Sequence, residues 1–147
     1  MTVGQFVFML HSHLPYYRKA GMWPFGEENL YECMAETYVP LLNAISELYD
    51  DEGIKAKLTV GITPILAEQL NDEHLKQGFI DYLDARITAV SKDLERYPDP
   101  EVAHSQHLKY LAKYYFDWFN HIKDSFINKY NKDLISAFKK YQDLGCI

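Results

Sequence analysis

The chain has 147 residues, a length that suits one compact domain or part of a larger one. Hydrophobic residues make up 48% and charged residues 24%, so the chain can bury a core and falls outside the disordered class. A net charge of −6 without any Lys/Arg stripe argues against nucleic acid or an anionic membrane as partner, while a neutral sugar polymer meets no electrostatic objection.

The opening residues, Met1-Thr2-Val3-Gly4-Gln5, have no basic region and no cleavage site, and read as a cytoplasmic start. No apolar run approaches the roughly 18 residues of a membrane span. Gly4 to Leu10 is short and almost continuously apolar, which predicts a strand buried on both faces, as in a parallel sheet. Residues 15–29 then form a long connection containing Gly21, Pro24 and Gly26, a length often tied to function. A helix is expected from Leu30 to Leu48, with Leu30, Met34, Tyr38, Leu41, Leu42, Ile45 and Leu48 on one face. Pro40 should kink it and Gly53 should close it. Cys33 within this helix reads as a buried thiol, and with Cys146 it is too little for a disulfide framework.

Lys55 to Ile62 alternates, with Ala56, Leu58, Val60 and Ile62 on one face, and predicts a second strand. Thr63-Pro64 follows as an N-cap and first helical residue for a short helix, Pro64–Leu70. A longer helix is expected over Asp72–Tyr97, its stripe formed by Leu75, Phe79, Leu83, Ile87, Val90 and Leu94. Pro98-Asp99-Pro100 predicts a turn. A third long helix over Glu101–Tyr130 should face inward with Leu108, Leu111, Tyr115, Trp118, Ile122 and Phe126. A fourth, Asp133–Leu144, ends at Gly145, and Cys146-Ile147 resembles the first residues of a further strand. The order predicts an α/β chain with two parallel strands and long inserted helices. Two strands are too few for a closed barrel of about 250 residues, so the chain reads as truncated at the start of a third strand.

His11-Ser12-His13 falls at the C-terminal end of the first strand, the edge where parallel α/β folds place their sites. Residues two apart on a strand share a side, so both imidazoles can reach one pocket, to hydrogen-bond a ligand or to bind a metal. Trp23, held in a loop between Gly21 and Gly26, suits stacking on a sugar's apolar face and equally suits plugging the core. Glu27 and Glu28 could suggest a catalytic carboxylate pair, but adjacent residues at a helix start diverge, and complementing the helix dipole explains them better. His104 with His107, and Asp117 with His121, have helical spacing without a metal-site context and read as solvated faces. The runs Asp50-Asp51-Glu52 and Lys139-Lys140 read as surface.

The stretch HSHLPYYRKAGMWPFGEENLYECMAETYVPLL (His11–Leu42) closely resembles the opening of branching-type enzymes of glycoside hydrolase family 57. LTVGITPILAEQL (Leu58–Leu70) resembles the family's second strand and the turn after it, and a weaker helical similarity runs to Ile147. The resemblance implies the N-terminal portion of an incomplete (β/α)7 barrel that acts on α-glucan without a cofactor. A Glu nucleophile and an Asp general acid/base would perform a retaining transfer that makes α-1,6 branches. It further implies that His11 and His13 contact the glucosyl unit at the cleavage point and that Trp23 lines the glucan groove. Amylase-like and glucanotransferase-like members carry Gln-Pro after the second His, whereas Leu14-Pro15 stands here, as in the branching group. The family's nucleophile and acid lie on later strands, so no catalytic residue and no metal ligand is assigned within residues 1–147, and the remaining barrel is an expected partner. A family 57 amylase or 4-α-glucanotransferase, a metal-dependent hydrolase opening with His-x-His, and a non-catalytic glucan-binding remnant are the competing readings.

Overall fold

The computed structural model describes residues 3–4, 6–97 and 104–147. Two short strands, β1 (Met9–Ser12) and β2 (Thr59–Ile62), pair in parallel with His11 opposite Gly61 and Ser12 opposite Ile62. Between them runs one continuous helical stretch, α1 (Glu27–Cys33), a π turn (Met34–Tyr38), α2 (Val39–Ser46) and a second π turn (Glu47–Asp51). Pro40 does not end it. A proline lacks the N–H that its turn requires, and the widened turn just before it absorbs the missing bond. Gly53, at φ +68°, closes the stretch as expected, with the Ile54 amide donating to the Leu48 carbonyl at 2.7 Å.

After β2 come α3 (Pro64–Asn71), α4 (Glu73–Arg96), α5 (Ser105–Asp124) with a π turn (Ser125–Lys129), and α6 (Leu134–Asp143). Asp72 caps α4 by accepting from the Leu75 amide at 3.1 Å, and Asp133 caps α6 by accepting from the Ser136 amide at 2.8 Å. The expected turn at Pro98-Asp99-Pro100 and the expected helix start at Glu101 lie outside the described residues. The core gathers Leu30, Tyr31, Leu42, Leu66, Phe79, Leu83, Phe126 and Tyr141, so every helix except the far ends of α4 and α5 contributes to it. Phe126 meets Phe79 edge-on at 4.9 Å, which fastens the α4–α5 pair to the centre. α4 approaches Tyr31 so closely that a Cβ on Gly78 would stand 2.0 Å from the phenol oxygen.

Five expectations need correction. The first strand is Met9–Ser12 rather than Gly4–Leu10, and its lead is not buried: Phe6 is 88% exposed and Val7 and Phe8 are exposed as well. A strand interior needs partners on both sides to hide an apolar run, and β1 has one. The second strand covers only Thr59–Ile62, because Lys57 adopts a left-handed φ of 53° and its amide turns to the Cys146 carbonyl at 2.7 Å. That bond sets Cys146-Ile147 beside β2, although the two residues form no strand. On α5, Leu108 and Tyr115 point to water at 38% and 47% exposure. A helix packed in a two-helix hairpin covers a narrow seam, here carried by the small buried Ser105 and Ala112, so the flank of the expected stripe is left outside. Cys33 is half-buried, whereas Cys146 is fully enclosed.

Besides the apolar lead into β1, a cavity of about 440 Å³ opens against β2, lined by Val60, Ile62, Ile135, Phe138 and Ile147. Apolar surface of this kind beside a free strand edge favours association. The purified chain is therefore expected to self-associate at micromolar concentration in sedimentation velocity, and Phe6→Lys with Val7→Lys to reduce it. A monodisperse wild-type monomer would contradict this.

Candidate functional site

The parallel pairing brings the ends of β1 and β2 to one edge. Gly61 stands beside His11, and a Cβ there would lie 3.3 Å from the His11 Nδ1, so the glycine makes room for the ring. His13 Nδ1 and Thr63 Oγ1 are 3.4 Å apart, a long contact across the same edge. The Thr63 amide donates to the Ser12 carbonyl at 3.2 Å, carrying the ladder one residue past β2. Thr63 was expected to cap α3 with its side chain. Its extended backbone starts the helix, but its hydroxyl makes no capping bond and faces His13 instead. His11, His13 and Trp23 are all exposed, Trp23 at 74%. The two imidazoles stand at one edge, and neither a hydrogen bond nor a ring contact joins Trp23 to either of them among the described residues.

The segment from His13 to Gly26 is irregular, and buried side chains hold its backbone. Gln69, 1% exposed on α3, accepts from the Tyr17 amide at 2.6 Å and donates to the Pro15 carbonyl at 2.9 Å. Asp72 pairs with Arg18 at 2.5 Å while capping α4. Burial works against the Asp72 carboxylate, but the Leu75 amide and Arg18 outweigh it and hold its pKa below the ordinary value. Gly21 sits at φ +85°, where only glycine is relaxed. A Cβ on Gly26 would fall 1.9 Å from the Gly21 carbonyl oxygen, so the aromatic loop closes on itself only with glycine at its far end.

Glu27 completes the set. It is buried and accepts from the Lys19 amide at 2.7 Å, from the Tyr31 hydroxyl at 3.0 Å and from His74 Nε2 at 3.0 Å. Glu28 leaves in another direction and pairs with Arg86 on α4. The two carboxylates diverge, as expected, and do not form a catalytic pair. Glu27 stands in the first turn of α1, as expected, and it also serves as a buried acceptor for the loop. Burial raises its pKa, and the Lys19 amide, His74 and Tyr31 more than offset this, holding it below the ordinary 4.5. Burial, followed by the bond to Glu27, pushes the Tyr31 phenol up, so it remains a donor. Only the spacing of Glu27 and Tyr31 on one helix face hinted at this network, because Gln69, Asp72 and His74 reach the loop from about fifty residues away.

The remaining candidates are dispersed. His104 and His107 are exposed at the start of α5, and Asp117 is exposed and pairs with Lys113. His121 is exposed, as expected, and its Nε2 lies 3.1 Å from the amide nitrogen of buried Asn43. Among the described residues no three His, Cys, Asp or Glu side chains stand close enough to share a metal ion, and no helix is long and apolar enough to cross a membrane.

Because the folded pKa of Glu27 is lowered, its contribution to stability is fully present above the unfolded value near 4.5 and is lost as pH falls through the folded one. Glu27→Gln is expected to cost about 2 kcal/mol in urea unfolding at pH 7. The gap should narrow as pH falls from 4.5 through the folded pKa; a gap independent of pH would refute the assignment.

The chain matches the sequence profile of Glycosyl hydrolase family 57 over residues 7–147. It is 39% identical over 144 residues to a 1,4-alpha-glucan branching enzyme of Thermococcus kodakarensis, an alignment covering 98% of this chain and 20% of that one. Its fold superposes on the crystal structure of the family 57 branching enzyme of Pyrococcus horikoshii with a TM-score of 0.84 and 36% identity, covering 95% of this chain and 25% of that one. The alpha-amylase AmyC of Thermotoga maritima superposes with a TM-score of 0.77 and 31% identity, with coverage of 95% and 25%. The chain thus spans about a fifth to a quarter of the length of these relatives. On the profile match, the identity and the shared fold together, this chain belongs to glycoside hydrolase family 57.

Proposed function

We propose that the chain is the opening segment of a family 57 catalytic barrel of the incomplete (β/α)7 type, from a cytoplasmic enzyme that branches α-1,4-glucan by retaining transfer. Residues 1–147 supply the first two strands and the inserted helices. In this reading His11 and His13 hydrogen-bond the glucosyl unit at the cleavage point, and Trp23 stacks along the glucan groove. The nucleophilic Glu and the acid Asp come from later strands, which also cover the apolar lead of β1 and the open side of β2. No cofactor is required, since carboxylate chemistry alone performs retaining glycosyl transfer. The observation that carries the reading is 39% identity to a branching enzyme along 98% of this chain. Hydrolysis of the amylase kind is second. The likeness to AmyC supports it, but that likeness is lower in both identity and TM-score, and Leu14 follows the branching pattern.

The test is a graft. Residues 1–147 replace the matching segment of the Thermococcus kodakarensis branching enzyme, and α-1,6 linkages formed on amylose are counted. The graft is expected to branch, with His11→Ala or His13→Ala lowering kcat/KM about a hundredfold. The 147-residue chain alone should form no branches. A folded graft that leaves amylose linear, or histidine variants as active as the graft, would remove the proposal.

A further inference from the structure

Trp23 and His13 lie on one irregular segment whose fixed geometry comes from elsewhere, the junction of α3 and α4. We infer that Gln69 is the positioning residue for this segment, setting where His13 and Trp23 meet the glucan. The inference rests on the reading above for what the segment binds. Gln69 touches no candidate ligand group. Its primary amide spends both functions on the loop, an acceptor for the Tyr17 amide at 2.6 Å and a donor to the Pro15 carbonyl at 2.9 Å. Pro15 lies two residues after His13, so the bond fixes the chain as it leaves β1. Tyr17 N–H and Pro15 C=O would otherwise be backbone groups without a partner in a part-buried site, at a cost of about 1–3 kcal/mol each.

The amide chemistry is specific. A carboxylate at this position could accept from Tyr17 but could not donate to Pro15, and a hydrophobic side chain could do neither. Asp72, three residues on, grips Arg18 from the same junction, so the two contacts form one clamp on residues 15–18. Glu27, itself bonded to His74 at the start of α4, holds the Lys19 amide. With both ends fixed, the Gly21–Gly26 closure has one position in which to present Trp23.

Hydrogen exchange on the graft carrying the wild-type segment, resolved to single amides by fragmentation mass spectrometry, tests this with maltoheptaose as the ligand probe. In the wild type, the Tyr17 amide should exchange about tenfold or more slowly than the Tyr16 amide beside it. Gln69→Met should speed Tyr17 exchange by at least about tenfold while α4 amides keep their protection, and should weaken maltoheptaose binding, read by calorimetric titration, about fivefold or more. Gln69→Glu should restore the protection of Tyr17. If Gln69→Met does not fold, the wild-type comparison still decides, because an unprotected Tyr17 amide overturns the inference without any variant. Faster exchange with unchanged affinity would also overturn it, leaving Gln69 a structural role only. Absence of maltoheptaose binding in the wild type would instead sink the proposed function, and the positioning role with it, while a slow Tyr17 amide would show that the clamp itself exists.

Discussion

Every backbone N–H and C=O taken from water must find a partner, and the stretch from His13 to Gly26 has neither helix nor sheet to supply one. Gln69 and Glu27 meet that demand from α3 and α1, while Asp72 holds the Arg18 side chain from the start of α4. Their placement in turn requires α3, α4 and α1 to pack together, which Tyr31, Leu66, Leu70, Phe79 and Leu83 achieve in one apolar centre. The geometry at the end of β1 is therefore a consequence of the core. Among the described residues no buried side-chain nitrogen or oxygen lacks a hydrogen-bond partner, so the polar insertions are fully absorbed.

A second buried polar hub fixes the other half of the molecule. Asn43 on α2 donates to Ser125 at 3.0 Å and accepts from the Tyr130 hydroxyl at 2.8 Å, joining α2 to the π turn after α5. Tyr130 is pushed up to about 12, first by burial, and remains protonated as a donor. The distal parts of α4 and α5 lie beyond both hubs and pack mainly against each other, which is why Tyr110, Tyr114 and Tyr115 are left in water.

Local pattern was enough to read the helices. The stripe Leu75, Phe79 and Leu83, the cap at Asp72 and the glycine stop at Gly53 all depend on neighbours within a few residues. The approach of β1 to β2 was also legible, because the Val60 and Ile62 alternation sets the strand and the histidines mark its partner's end. The extent of each strand was not, since pairing is decided by distant backbone such as Cys146 opposite Lys57. Gln69 looked like one more polar residue on a short helix, and Glu27 like a dipole partner. Their roles depend on contacts up to 54 residues apart, which no local period encodes. Recognition of the family rested on the segment around Trp23, whose Gly and Pro residues specify a loop shape that only Gly21 at positive φ and Gly26 without a Cβ can adopt. His11, His13 and Trp23 were singled out by their place at a strand end and in a loop, and the resemblance added the role toward glucan; the fold explains how the histidines share an edge, and that role is part of the proposal.

The most direct test of the account is a chemical-shift titration of the graft, isotopically labelled in residues 1–147, with maltoheptaose. The account predicts shifts concentrated on the His11 and His13 imidazoles, the Trp23 indole and Thr63, with the α5 amides unmoved. Shifts confined to the exposed tyrosines of α5, or none at the end of β1 with sugar in large excess, would contradict it.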